Sequence, residues 1–192
     1  MTKQDEILSA AQSLFARFGP KKVTTDEIAR DAKISKATLY KHFKNKGEIF
    51  DEVVRMEAAE MFSSIRDAVA QQKTVQAKFR AHLLTKLTKI RKLLNFYHVT
   101  MESNDDYWPY IAEARERFML QEREIVKEML VEGNKSGEIA VEEVDMVAHM
   151  MVGTLQSREI GWATEVLTVS LETYVDMMIN IMINGIRKTV NS

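Results

Sequence analysis

Between Val75 and Met101 the large apolar residues Val75, Phe79, Leu83, Leu87, Ile90, Leu94, Tyr97 and Met101 step by four, four, four, three, four, three and four positions. A helix of 3.6 residues per turn lays such a set on one face, and the stretch predicts a helix of roughly seven turns. Similar spacing recurs in Ile7, Leu8, Ala11, Leu14, Phe15 and Phe18, and again in Ile111, Ala114, Phe118, Ile125 and Met129. Helices are also expected over 144–160 and 166–186. The apolar spacing of these runs does not alternate as a half-buried strand requires. Seven Gly and two Pro among 192 residues leave few breakers, which favours long helices. The expected fold is all-α, with about nine helices.

Several chemistries drop out at once. The chain has no Cys, so disulfides, thiolate metal sites and cysteine nucleophiles are excluded. It has no Gly-rich phosphate loop and no nucleophile motif, so no enzyme activity and no cofactor are expected. There is no 18-residue apolar run, and the start MTKQDEILSA lacks the basic and apolar regions of a secretion signal. A cytoplasmic protein is expected. The net charge of −1 conceals an asymmetry: residues 1–50 carry 10 Lys/Arg against 6 Asp/Glu, and the rest carry 17 against 22. A basic first quarter on an acidic body is a prior for nucleic-acid contact.

The basic quarter is punctuated by helix signals. Gly19 and Pro20 end the first helix, since Gly accepts a left-handed end and Pro cannot continue the ladder. Thr24 and Glu27 have the capping-box spacing and open a short helix burying Ile28, Ala29 and Ala32. Ser35 caps a second short helix through about His42, with Leu39 and Phe43 buried, and Asn45 with Glu48 repeats the box ahead of a long helix. Two short capped helices so close together make a helix-turn-helix, whose second helix lies in the major groove. Lys36 and Thr38 reach hydrogen-bonding groups on base edges, and Ala37 allows close approach or contact with a thymine methyl. Tyr40, Lys41, His42 and Lys46 offer donors to phosphates. The bland alternative is a small helical subdomain with a solvated basic face.

The run Phe15-Ala16-Arg17-Phe18-Gly19, then Thr24-Thr25-Asp26-Glu27-Ile28-Ala29, then Ile34 through Lys46 resembles the TetR family of bacterial transcriptional regulators. The specific part is Thr38-Leu39-Tyr40-Lys41-His42-Phe43-Lys44-Asn45-Lys46, and the resemblance is dense over residues 4–55. It implies a helix-turn-helix domain of three helices over 1–47 and a larger helical effector-binding and dimerisation domain over 48–192. It further implies a homodimer on a palindromic operator in double-stranded DNA, acting as a repressor until a small molecule binds. By the same resemblance Lys36 and Ala37 contact bases, and Thr25, Ser35, Tyr40, Lys41, His42 and Lys46 contact phosphates. The chain departs from the family at Lys33 and Ala37, where many members carry Gly. If Lys33 is left-handed, lysine costs roughly 1 kcal/mol more than glycine there.

The remainder names no effector. Helical pockets are mostly apolar with a few polar groups, and the candidates are Phe62, Phe96, Tyr97, Met101, Trp108, Tyr110, Phe118, Met151, Leu155 and Trp162, with Arg158, Gln156 and His98 as polar groups. Taken singly, each of the apolar ones reads first as an ordinary core residue. A small apolar or amphipathic effector is expected. The alternative is a helix-turn-helix regulator controlled by a protein partner. Lys86, Lys89, Arg91 and Lys92 read as the solvated side of a long helix. His98 with Glu102, and Asp145 with His149, are paired at helical spacing, but two ligands make no metal site. The last helices are apolar nearly all round, so a homodimer through them is expected, with Gly153 allowing close approach. Asp176, Asn180 and Asn184 argue against a membrane span.

Overall fold

The computed structural model describes residues 2–92, 108–153 and 169–186. Among the described residues there are eight helices and no strand, so the chain is all-α, close to the expected nine helices. They are α1 (Lys3–Phe18), α2 (Thr25–Asp31), α3 (Lys36–His42), α4 (Lys46–Ala70), α5 (Val75–Lys92), α6 (Trp108–Ser136), α7 (144–153) and α8 (Leu171–Ile186). The chain divides into two compact units, residues 1–59 with 93–116 and residues 60–92 with 117–192, and α4 supplies residues to both.

Side-chain caps define the helices of the first unit. Thr2 and Asp5 form a capping box at α1, and Thr24 and Glu27 form one at α2. The hydrogen bonds that Glu27 accepts from the Thr24 backbone and hydroxyl hold its carboxyl below the usual range. The third box closes differently from its sequence pattern. Asn45 Oδ1 accepts from the Glu48 amide as expected, but the Glu48 carboxylate accepts from the amide of Lys44. Gly19 ends α1 at φ +78°, where a Cβ is strained.

The core of this unit comes from Ile7, Leu8, Ala11, Phe15, Val23, Ile28, Leu39, Phe43, Ile49, Phe50 and Val53, all buried. Phe15 and Phe50 meet edge to face with ring centroids 5.4 Å apart, a geometry aromatic quadrupoles favour. Phe18 departs from its expected place. It lies past the buried stripe, 48% exposed, with the Arg17 guanidinium 5.0 Å from its ring. Gln12 donates to buried Glu57 at 3.1 Å, fastening α1 to α4.

The turn between α2 and α3 contains the non-glycine residue with positive φ among the described residues, Lys33 at +54°. The departure noted in the sequence is therefore a real left-handed lysine. Lys33→Gly is expected to stabilise the protein by about 0.5–1 kcal/mol, the relief of the left-handed strain less the extra freedom glycine adds to the unfolded chain. Urea denaturation checks this as a higher midpoint at unchanged slope.

In the second unit Met61, Phe62 and Ile65 of α4, Phe79, Leu83 and Leu87 of α5, and Phe118, Ile125, Val126, Met129 and Leu130 of α6 are buried. α5 lies along α8, and Arg80 joins Asp176 at 2.5 Å across that contact. The end of α6 is tied down with particular care. The backbone at Gly133 leaves no room for a methyl, since a Cβ there would stand 2.6 Å from Val75 and 2.8 Å from Ile139. Glu138 accepts from the Val75 amide at 3.0 Å. Asn134 accepts from the Val141 amide and donates to the Val141 carbonyl.

Candidate nucleic-acid interface and effector core

Ser35 starts α3 by accepting from the Thr38 amide at 3.1 Å, and its hydroxyl also meets the Thr38 hydroxyl at 2.9 Å. The seven-residue helix that follows buries Leu39 completely and points its remaining chemistry outward. Ser35, Lys36, Ala37, Tyr40, Lys41 and His42 are exposed, and Thr38 is half-buried. Residues 36, 37 and 40–42 thus form an open face on the helix expected to enter the groove, held to the core by one leucine at its centre.

Two contacts fasten this face to α2. The Thr25 and Tyr40 hydroxyls are 3.1 Å apart, so the first residue of α2 orients the tyrosine. Lys36 Nζ stands 2.6 Å from Asp26, and that carboxylate holds the ammonium above its usual range. A salt bridge this exposed contributes little to stability, but it fixes where the ammonium stands. Lys46 is half-buried, and its ammonium donates to the carbonyls of Val23 at 2.7 Å and Lys21 at 3.2 Å. It stitches the loop before α2 to the start of α4. The structure therefore brings Thr25, Ser35, Lys36, Ala37, Thr38, Tyr40, Lys41 and His42 together on α3 and the start of α2, while Lys46 is engaged with the loop carbonyls. The contacts made by Asp26 and by Lys46 with the loop carbonyls escaped the sequence reading, because neither leaves a spacing pattern.

The effector candidates are only partly described. Phe62 and Phe118 meet with ring centroids 4.7 Å apart and planes tilted by 32°, and Met151 is buried on α7. Trp108 and Tyr110 lie in the first turn of α6, but their side chains fall outside the described residues, as do Tyr97, Met101, Leu155 and Arg158 entirely. His98 and Glu102 also lie outside. Asp145 pairs with Lys127 at 2.6 Å.

One expectation is reversed. Lys86 is not on a solvated helix face but wholly buried, with Nζ 2.6 Å from both carboxylate oxygens of Glu122, itself wholly buried. His82, one turn earlier on α5 and equally buried, has Nε2 3.2 Å from Glu122 Oε1 without hydrogen-bond alignment. Burial acts to raise the Glu122 carboxyl, and Lys86 and His82 override it, bringing it from 4.5 down to about 2. The Lys86 ammonium also lies 5.4 Å from the Phe118 ring. Sequence spacing pairs His82 with Lys86 at i and i+4, but the carboxylate that draws them inward is 36 residues away.

Residues 7–53 match the family described as bacterial regulatory proteins, tetR family. Over 183 residues, 94% of each chain, the protein is 26% identical to YhgD, an uncharacterised HTH-type transcriptional regulator of Bacillus subtilis. Among solved structures, a TetR-family regulator from Mesorhizobium loti superposes with a TM-score of 0.79 at 21% identity, covering 97% of both chains. FadR from Bacillus subtilis, in complex with stearoyl-CoA, superposes with a TM-score of 0.72 at 21% identity, covering 95% of this chain and 99% of that one.

Proposed function

We propose that the chain, which is similar to TetR-family bacterial helix-turn-helix transcriptional regulators, is a cytoplasmic homodimeric repressor, released from a palindromic operator by a small apolar or amphipathic effector. The open face of α3 carries this reading, because the side chains that could meet a major groove are exposed and pre-oriented by Thr25, Ser35 and Asp26. Lys36, Ala37 and Thr38 are the base-facing residues. Thr25, Ser35, Tyr40, Lys41, His42 and Lys46 take phosphates. We place the helix-turn-helix domain in residues 1–47 and the effector and dimerisation domain in 48–192.

An effector core is supported by the buried aromatic pair Phe62–Phe118 and by Met151, and Tyr97, Met101, Trp108, Tyr110, Leu155 and Arg158 complete the proposed set. A fold of this kind holds stearoyl-CoA in FadR, and long amphipathic ligands are compatible with the aromatic lining here. Effector entry acts through α4, which contributes Phe50 to one unit and Phe62 to the other, and alters the spacing of the two recognition helices on DNA.

The homodimer is supported by an apolar stripe that a single chain leaves uncovered. On α8, Val175, Ile179 and Ile183 face inward while Met177 and Ile181 are exposed, Ile181 by 73%; on α7, Met146 and Met150 are exposed by about 60%. Ile181→Glu is expected to leave the fold intact and convert the dimer to monomer, read by sedimentation velocity at micromolar concentration. An unchanged dimer would move the interface elsewhere.

The function is tested by selecting random duplex DNA with the purified protein at fixed, moderate salt. Recovery of a palindrome with two half-sites establishes specific binding by a dimer. Recovery without a motif, with binding that vanishes as salt rises, reduces the basic unit to an electrostatic patch.

A further inference from the structure

The buried trio His82, Lys86 and Glu122 demands an explanation that stability does not supply. A buried ion pair rarely outperforms apolar residues of the same volume, and a buried histidine with neither ring nitrogen hydrogen-bonded among the described residues is rarer still. Both features occur here, side by side, beneath an aromatic ring. Costs of this kind cluster at binding sites.

We propose that the trio is the headgroup site of the effector and that it takes a monoanion, such as the carboxylate of an amphiphile whose apolar body lies against Phe62 and Phe118; this rests on the effector reading above. Charge decides the class. Lys86 and Glu122 cancel, and His82 adds nothing when neutral. An incoming anion leaves one negative charge, which a single proton taken up by the imidazole of His82 balances. An incoming cation leaves one positive charge, which is removed by stripping Lys86, an ammonium already held by both oxygens of Glu122. The geometry offers a matching exchange. His82 Nε2 is already 3.2 Å from Glu122 Oε1, so a turn of the ring that aims its N–H at that oxygen releases a Lys86 N–H to the anion. Glu122 from α6 faces His82, and Lys86 from the same helix as His82 shares that carboxylate.

The test is calorimetric titration of the full chain with decanoate, decan-1-ol and decyltrimethylammonium, in buffers of different ionisation enthalpy. Decanoate is expected to bind at least ~10-fold more tightly than the other two, the worth of one charge-assisted hydrogen bond, and to bring about one proton with it. His82→Gln, which cannot be protonated, should abolish the proton uptake and the preference. The Lys86→Met/Glu122→Met double variant, checked for fold by circular dichroism, should bind the three alike. Equal affinity of the three probes for the wild type, or an unchanged preference in either variant, overturns the anion site and leaves an apolar effector site standing. Failure of every probe to bind overturns the headgroup site and removes the support for an amphipathic effector.

Discussion

Glu122→Ala is expected to destabilise the protein by about 3–5 kcal/mol, because it strands the Lys86 ammonium in a site with no access to water. Against the roughly 5–15 kcal/mol that holds a typical domain together, this is a large fraction. The loss is specific to breaking the pair. The Lys86→Met/Glu122→Met double variant removes both charges at similar volume and is expected to recover most of the wild-type stability. Urea denaturation of the three proteins checks this, and a double variant as weak as Glu122→Ala would show that the damage comes from packing and not from charge. The same pair sets an acid limit. The Glu122 carboxyl is lowered from 4.5 to about 2 on folding, so its contribution is fully present above the ordinary carboxyl range. It is lost as pH falls from about 4.5 through 2, where the unfolded chain binds the proton more tightly. Acid titration of the double variant should show a correspondingly shallower loss over that window.

Ala37→Glu is expected to abolish specific DNA binding while sparing the fold. Ala37 is exposed in the first turn of α3, where a carboxylate is favourable to the helix dipole. On DNA the same carboxylate lies against the phosphate-lined groove, and like-charge juxtaposition of this kind costs several kcal/mol, a loss of roughly 100-fold or more. The opposite signs make the experiment clean: thermal denaturation should be unchanged or slightly improved, and fluorescence anisotropy on the selected duplex should show no specific complex. Retained affinity would mean that α3 does not present this turn to the bases.

How much of this was legible in sequence depends on the distance over which each feature is encoded. The caps at Thr24 and Ser35 and the stop at Gly19 are written within three or four residues, and the structure carries them as read. The left-handed turn at Lys33 was foreseen as a condition and is met. The Lys44–Glu48 closure slipped by one residue because a glutamate side chain can reach either of two neighbouring amides. Lys86 was misread for a different reason. It stands in a run with Lys89, Arg91 and Lys92, and nothing local separates a lysine that meets a buried carboxylate from one that meets water. Only packing of α5 on α6 makes that distinction. Lys46 is a similar case, since its carbonyl partners belong to a loop more than twenty residues earlier.

The tie between Glu138 and Val75 has a consequence for the chain while it is being made. All the caps of α1, α2 and α3, and the Gln12–Glu57 clasp, lie within the first 57 residues. The amide that opens α5 donates to a carboxylate 63 positions later in the chain, and at a synthesis rate of about 5–20 residues per second that partner emerges roughly 3–13 seconds afterwards. The DNA-reading helices can therefore settle on the ribosome while α5, with its buried lysine, still lacks both Glu122 and Glu138. Nascent protein passes through an interval in which the first three helices have all their caps while α5 still waits for its partners.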